Sequence, residues 1–420
     1  MISAKYLLSL LLGAAFGAGG WMYGLKNGPP AMSVESFEQQ LRIAEEEIAM
    51  LTDENESLRS LAQGGGEVAV PQEMISKVEK DYGLEFISSP VVNQVAGEEL
   101  GYRIEAALES RLGPQGMDDR QEAYQRIGWL RADDRLLNQL VAIRSVGALA
   151  WFDEQTGEAW VTDRFDFKNI PDQAAMLRVL VRILLNQHFP PPVAYPGDDA
   201  ARARDALHAG AASAAESRFY ADAARGVGFV PLSENGPAER LMLALPSFLQ
   251  GITLFPAIAG SDLARSLYVR GKEPFADAFR NPPQSTFGVV FPAEEIREVK
   301  MDFPETDDEI FLKESGGYLG LRLWIEEMGD VGVAEEIARS WVGDGYLLFG
   351  DGEMSSGLAW DIELESAELA DRLEAIVRDR VTFMKQEAEG RFFGSARLTP
   401  TRVRFINAAT AETLFKFIPN

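Results

Sequence analysis

Apolar positions change their spacing several times along the chain, and each change predicts a different element. Tyr6–Leu25 (YLLSLLLGAAFGAGGWMYGL) is uncharged throughout and is flanked by Lys5 and Lys26, a length that can span a bilayer. Trp21 and Tyr23 suit its interfacial end. The pattern predicts a membrane anchor within residues 1–27. The competing reading is a signal peptide cleaved near Ala15-Phe16-Gly17. From Ser36 to Ala62 the periodic positions are Phe37, Leu41, Ala44, Ile48, Leu51, Asn55, Leu58 and Ala62, alternating in steps of four and three. This is a coiled-coil seam, and a lone asparagine at an a position is a device for fixing register. It predicts a stalk over 34–62 that pairs copies of the chain into a parallel homo-oligomer; a single amphipathic helix is the plainer alternative. Gln63-Gly64-Gly65-Gly66, continuing to Pro71, predicts a flexible linker over 63–71.

The rest reads as one body, with a core at 72–290 and a further part at 291–420. Gln72–Gln139 has a helical pattern broken at Leu112-Gly113-Pro114-Gln115-Gly116. Ala148–Val161 alternates around Glu154-Gln155-Thr156-Gly157 and predicts a hairpin. Pro171-Asp172 opens a helix that Pro190-Pro191-Pro192 ends, and Ala200–Ala224 forms an alanine-rich helix. Short strands follow near Ile310–Lys313, Gly345–Phe349 and Gly357–Leu364, and Arg397–Asn420 closes the chain with a strand, a turn and a helix or strand. The predicted class is α+β.

With 65 acidic against 40 basic residues the formal charge is -25, which disfavours nucleic acid and anionic membrane surfaces as partners. The absence of cysteine excludes thiol catalysis, zinc–thiolate sites and disulfides. Only His188 and His208 offer an imidazole.

Met176–Phe189 (MLRVLVRILLNQHF) resembles the active helix of a family of bacterial and archaeal zinc metallopeptidases, H-E-L-x-H-A-L-Q-D-Q-H-F, and matches its end at Gln187-His188-Phe189 without a gap. The two metal-binding histidines of that motif fall on Arg178 and Arg182, and its catalytic glutamate on Val179. In H-E-x-x-H two neutral imidazoles one turn apart hold Zn²⁺ and the glutamate acts on the bound water. A guanidinium has no lone pair to offer a cation. Further segments resemble the family in order. GALAWFDEQTGEAWVTD (147–163) matches its strand, turn and strand. ALHAGAA (206–212) matches its A-L-x-E-G-D-A, with the third ligand at Ala209 and the aspartate at Ala211. LPSFLQGITLF (245–255) and AFRNPPQSTFGVVFPAE (278–294) follow, the latter with Phe287 and Phe291 where the family has glutamate and histidine. WVGDGYLLF (341–349) comes last. The resemblance covers about Val78–Val377 and implies a zincin-like scaffold, mostly helical with a small sheet. Scaffold residues match while the metal ligands do not.

Such a scaffold brings Arg178, Val179, Arg182 and Ala209 to one groove, and its arginines then need anions. Asp205 and Glu216 share the face of Ala209, so at least one pair between Arg178 or Arg182 and Asp205 or Glu216 is expected. The same arginines, read alone, are a solvated stripe on a helix. The implied protein is a catalytically inactive pseudo-peptidase without metal or other cofactor. It would be anchored by a single pass in the inner membrane, with a cytoplasmic amino end and a periplasmic body. There it would bind or scaffold an envelope protein or peptide. Two alternatives stand beside it: a hydrolase with a relocated metal site using His208 with Asp205 or Glu216, and a purely structural envelope protein.

Overall fold

The computed structural model describes residues 66–227, 236–294, 303–329, 331–352, 354–387 and 390–418. The anchor expected at Tyr6–Leu25 and the stalk at Ser36–Ala62 lie outside the described residues. Among the described residues no helix is long and apolar enough to cross a membrane.

The elements run α1 (Gln72–Tyr82), β1 (Asn93–Val95), α2 (Gly97–Leu112), α3 (Pro114–Ile127), α4 (Leu136–Ser145), β2 (Ala150–Phe152), β3 (Ala159–Thr162), α5 (Ile170–His188) and α6 (Asp198–Val227). Next come α7 (Pro237–Ala244), α8 (Ser247–Phe255), a π-helical segment (Pro256–Gly260), α9 (Ser261–Arg270), α10 (Lys272–Arg280) and α11 (Thr286–Val290). The chain then forms β4 (Glu309–Glu314), α12 (Gly317–Glu326), α13 (Val331–Arg339), β5 (Trp341–Asp351) and β6 (Met354–Leu364). It closes with α14 (Ala367–Glu387), β7 (Phe392–Thr399), β8 (Arg402–Ala408) and α15 (Ala411–Lys416). The class is α+β. Residues 65–420 form one unit, so the parts at 72–290 and 291–420 share a body.

Two sheets frame the helices. In the small one, ordered β1-β3-β2, β3 pairs in parallel with β1 and antiparallel with β2. The larger, ordered β4-β5-β6-β8-β7, is antiparallel throughout. The segment expected as a linker over 63–71 is joined to the body in its described part. Val68 N donates to Val92 O at 2.7 Å, Gln94 N donates to Gly66 O at 3.4 Å, and Val68 and Val70 pack on the core.

Strand β6 follows the two-residue period of a sheet with two covered faces. Leu358, Trp360, Ile362 and Leu364 enter the main core, whereas Ala359 joins Leu347, Phe349, Ile406, Ala408 and Phe417 in a second cluster. The seam between sheet and helices is aromatic. Trp129 stacks on Phe248 with centroids 4.4 Å apart and meets Trp360 edge-on at 5.4 Å, and Trp360 meets Trp324 at 5.3 Å. Buried indole N–H groups usually find partners; Trp129 Nε1 has none among the described residues, whereas the other two do. Trp324 Nε1 donates to Ile127 O at 2.9 Å and Trp360 Nε1 to Asp344 Oδ2 at 2.7 Å.

Asp344 is a buried hub. It also accepts from Trp341 Nε1 at 3.0 Å, Ser315 Oγ at 2.7 Å and the backbone N–H groups of Gly316 and Gly317 at 2.8 and 2.9 Å. Gly317 has φ +69°, and a Cβ there would overlap the Asp199 carboxylate. Asp199 in turn accepts from Thr286 Oγ1 at 2.7 Å and Thr286 N at 3.2 Å, and Thr286 Oγ1 accepts from Leu319 N at 3.0 Å. Helix α6 is thereby tied to α11 and α12. A second tie is steric: Gly210 on α6 and Gly260 in the π-helical segment face each other so closely that a Cβ on Gly210 would overlap the Gly260 carbonyl, and one on Gly260 the Ala206 carbonyl.

Gly210→Ala is therefore expected to lower stability by about 3 kcal/mol, the upper range for forcing one methyl into a packed contact, in urea unfolding. Asp199 generates a pH prediction. Burial pushes its carboxyl up to about 7 against the pull of Thr286, so the folded protein holds a proton that the unfolded chain releases near pH 4. The stability this supplies is complete below about pH 4 and is lost as the pH rises through about 7. Asp199→Asn removes the titration. Between pH 5 and pH 8 the wild type should lose on the order of 2 kcal/mol relative to the variant; a parallel pH profile for the two would refute the assignment.

Candidate functional site

Helices α5 and α6 pack against each other and form one side of a cavity of about 560 Å³. Arg178, Val179 and Arg182 come from α5, one helical turn apart at 178 and 182. Asp198, Arg202, Asp205, Ala209 and Ser213 come from α6 at steps of three and four, the stripe of one helix face. The α2–α4 region supplies Arg111, Leu140, Ile143 and Arg144, the hairpin supplies Trp151 and Phe152, and the α8–π junction supplies Ile252 and Pro256. The structure thus brings Arg178, Val179, Arg182 and Ala209 to a single wall.

At least one ion pair was expected among these residues, and two contacts are present. Arg182 Nη2 lies 3.3 Å from Asp205 Oδ1, and Arg178 Nη1 lies 3.5 Å from Glu216 Oε2. They differ in strength. The Arg178 side chain is 40% exposed, and burial outweighs that arginine at Glu216, raising its pKa; this pair is a loose rim contact. Arg182 is held more firmly by Glu154 in the hairpin turn, with Nη2 to Oε1 at 2.5 Å. Arg204 Nη1 reaches the other Glu154 oxygen at 3.2 Å and its Nη2 donates to Phe189 O at 2.7 Å. Burial works against ionising Glu154, but Arg182 and then Arg204 outweigh it and lower its pKa. Glu154 was legible as a turn residue in 147–163 but not as a partner, because its role depends on how the hairpin folds back over α5.

A second network forms the adjoining wall. Asp198 Oδ1 accepts from Arg120 Nε at 2.8 Å and Tyr195 OH at 2.7 Å, while Oδ2 accepts from Tyr124 OH at 2.7 Å and lies 3.6 Å from Arg202. Arg120 also pairs with Glu314 on β4, whose Oε2 accepts from Asp198 N at 2.7 Å. Burial, then the charge of Asp198, pushes Glu314 up to about 7. Burial also opposes ionisation of Asp198, but Arg202, Arg120 and the two tyrosine hydroxyls prevail and its pKa is lowered.

The two histidines lie apart from the cavity. His208 is 1% exposed on another face of α6, meets Phe279 edge-on at 4.9 Å, and has no hydrogen-bond partner at Nε2. Burial, followed by Arg204 and Arg182, lowers its pKa well below that of free histidine, so it is neutral. It does not meet Asp205 and Glu216, and among the described residues no three His, Asp or Glu side chains are placed to hold a metal ion. His188 Nε2 lies 2.8 Å from Glu85 O, and Gln187 Oε1 accepts from Ile87 N at 2.8 Å while its Nε2 donates to Ser88 O at 3.0 Å. The Gln187-His188-Phe189 end therefore fastens the loop after α1. Phe287 and Phe291 pack on each other at 4.8 Å and against Tyr318 at 6.0 and 5.6 Å.

Compared with protein-family models, curated proteins and solved structures, the chain matches none.

Glu154→Ala would leave two partly buried guanidiniums short of a counter-charge, and a loss of about 3 kcal/mol is expected. The same carboxylate, with its lowered pKa, contributes stability that is present above about pH 4 and lost as the pH falls further. Urea titrations at pH 7 and at about pH 3, below the range of an ordinary carboxylate, should show the Glu154→Ala deficit shrinking at the lower pH.

Proposed function

We propose that the protein is a non-catalytic relative of the zinc metallopeptidases that it resembles, acting as a binding or scaffolding module in the cell envelope. The observation that carries this reading is the meeting of Arg178, Val179, Arg182 and Ala209 on one cavity wall, with guanidiniums tied to Glu154, Asp205 and Glu216 where the resemblance expects ligands and base. A hydrolytic zinc site needs neutral or anionic lone-pair donors and an open position for water. Two arginines at that place repel a dication instead. Parts of the segments that match the family have structural work here: Thr286 and Asp344 organise buried hydrogen bonds, and Gln187 and His188 hold a loop.

In this reading the apolar Tyr6–Leu25 segment anchors the chain in the inner membrane with its body in the periplasm. The seam at Ser36–Ala62 joins two or more copies. Such an arrangement presents several cavities to an envelope protein or peptide at once.

The test is the zinc content of the purified full chain after incubation with Zn²⁺ and desalting. Less than about a tenth of an equivalent is expected, the level of adventitious binding. One equivalent that disappears in His208→Ala would overturn the proposal and restore the relocated-site hydrolase.

A further inference from the structure

The cavity wall is cationic in a chain whose formal charge is -25. Six arginines and two aspartates line it: Arg111, Arg120, Arg144, Arg178, Arg182 and Arg202 against Asp198 and Asp205. Four of the six have the acidic partners described above. Arg111 and Arg144 do not: among the described residues neither takes part in an ion pair, and Arg111 is held by its stacking over the Tyr195 ring at 5.4 Å. Arg144 is exposed to solvent within the cavity. Burial by its surroundings and the charges of Arg111 and Arg182, against Asp205 and Glu154, lower its pKa. It remains a cation in a region already rich in cations. No direct ion pair offsets that placement: the neighbouring guanidiniums repel it, and Asp205 attracts it only from beyond ion-pair distance.

The remainder of the wall is apolar. Leu140 and Ile143 on α4, Trp151 and Phe152 on the hairpin, and Ile252 on α8 face the same space. A volume of about 560 Å³ falls in the range of small-molecule sites, which combine apolar walls with a few fixed polar groups. Guanidinium forks match the two oxygens of a carboxylate or the oxygens of a phosphate monoester.

We infer that this cavity takes an organic anion with an apolar body, its head between Arg144 and Arg111 and its body against Leu140, Ile143, Trp151 and Ile252. The inference deepens the proposed function and rests on it in one respect only, that the cavity binds and does not hydrolyse. The two vacant guanidiniums supply the counter-charge, and the paired arginines around them hold the wall in place. Membrane lipid is not the source the charge favours, because the body as a whole is acidic.

The experiment is isothermal titration of the full chain with N-hexanoylglycine, with hexyl phosphate, and with neutral N-hexanoylglycinamide, followed by chromatography of the recovered ligand. Binding of either anion at least tenfold tighter than of the amide is expected. Arg144→Met should weaken it by tenfold or more, the size of one lost charge-assisted hydrogen bond. Because Arg144 makes no ion pair and desolvation works against its charge, the same variant should melt close to the wild-type temperature or above it without ligand, an outcome that separates binding from a structural role. Absence of binding by both anions at about 1 mM, equal binding of the amide, or unchanged affinity in Arg144→Met would overturn the inference. Tight binding of N-hexanoylglycine with cleavage of its amide would leave the ligand class standing and overturn the non-catalytic reading.

Discussion

The interior depends on one carboxylate. Asp198, at the first position of α6, receives donors from α3 (Arg120 and Tyr124) and from the loop before α6 (Tyr195), with Arg202 of its own helix 3.6 Å away, while its backbone N–H binds Glu314 on β4. These contacts join the amino-terminal helices, the cavity wall and the larger sheet at one buried point. A lone ion there would cost several kcal/mol, and only the complete set of donors makes it tolerable. Glu314 shares Arg120 with Asp198, and two carboxylates beside one guanidinium cannot both ionise cheaply. Of the two, Glu314 is the one whose carboxyl is pushed up, by burial and then by Asp198, while Asp198 is held down by its donors.

The same rule explains the distribution of charge around the cavity. Glu154 serves Arg182 and Arg204 together, Asp205 shares Arg182, and Glu216 meets Arg178 at the rim. Each acid lies next to the arginine whose field it offsets, while Arg144 feels Asp205 and Glu154, and Arg111 feels Glu154, only beyond ion-pair distance. The pocket is thus opposite in sign to the net charge of the chain, and at ordinary ionic strength its field reaches only about 10 Å.

Much of the helical framework was legible from the sequence, because proline and glycine mark its limits physically. Pro171 and Pro190 bound α5, the break at Gly113 separates α2 from α3, and Glu154–Gly157 turns the hairpin between β2 and β3. The sheets were less legible. β5 starts at Trp341, earlier than the expected Gly345–Phe349, since Gly343, Asp344 and Gly345 are poor strand formers that tertiary hydrogen bonds hold extended. The hairpin of β7 and β8 was read only from Arg397 onward, although pairing begins at Phe392 opposite Ala408. Of the site, Arg178, Val179, Arg182 and Ala209 were singled out by the resemblance, and Asp205 and Glu216 by helical spacing around Ala209. Glu154, Arg111, Arg120, Arg144 and Tyr195 were not, because each reaches the cavity from a segment distant in sequence. The two aspartates opening α6 were the one available signal, since adjacent acids entering a buried helix demand donors from elsewhere.

Helix α6 carries three unrelated duties on three of its faces. Asp198, Arg202, Asp205, Ala209 and Ser213 face the cavity, Gly210 meets Gly260 without room for a methyl group, and His208 fills the space beside Phe279. Their spacing permits no slip, because a single inserted residue would turn every later side chain by about 100°. Change along this helix is therefore confined to exchange in place. Beyond Asp198, cavity-facing side chains can be swapped for others as long as their charges are matched across the gap, while the glycine and the opening aspartates set the frame. A chain built this way can change what its hollow holds far more readily than it can change its shape.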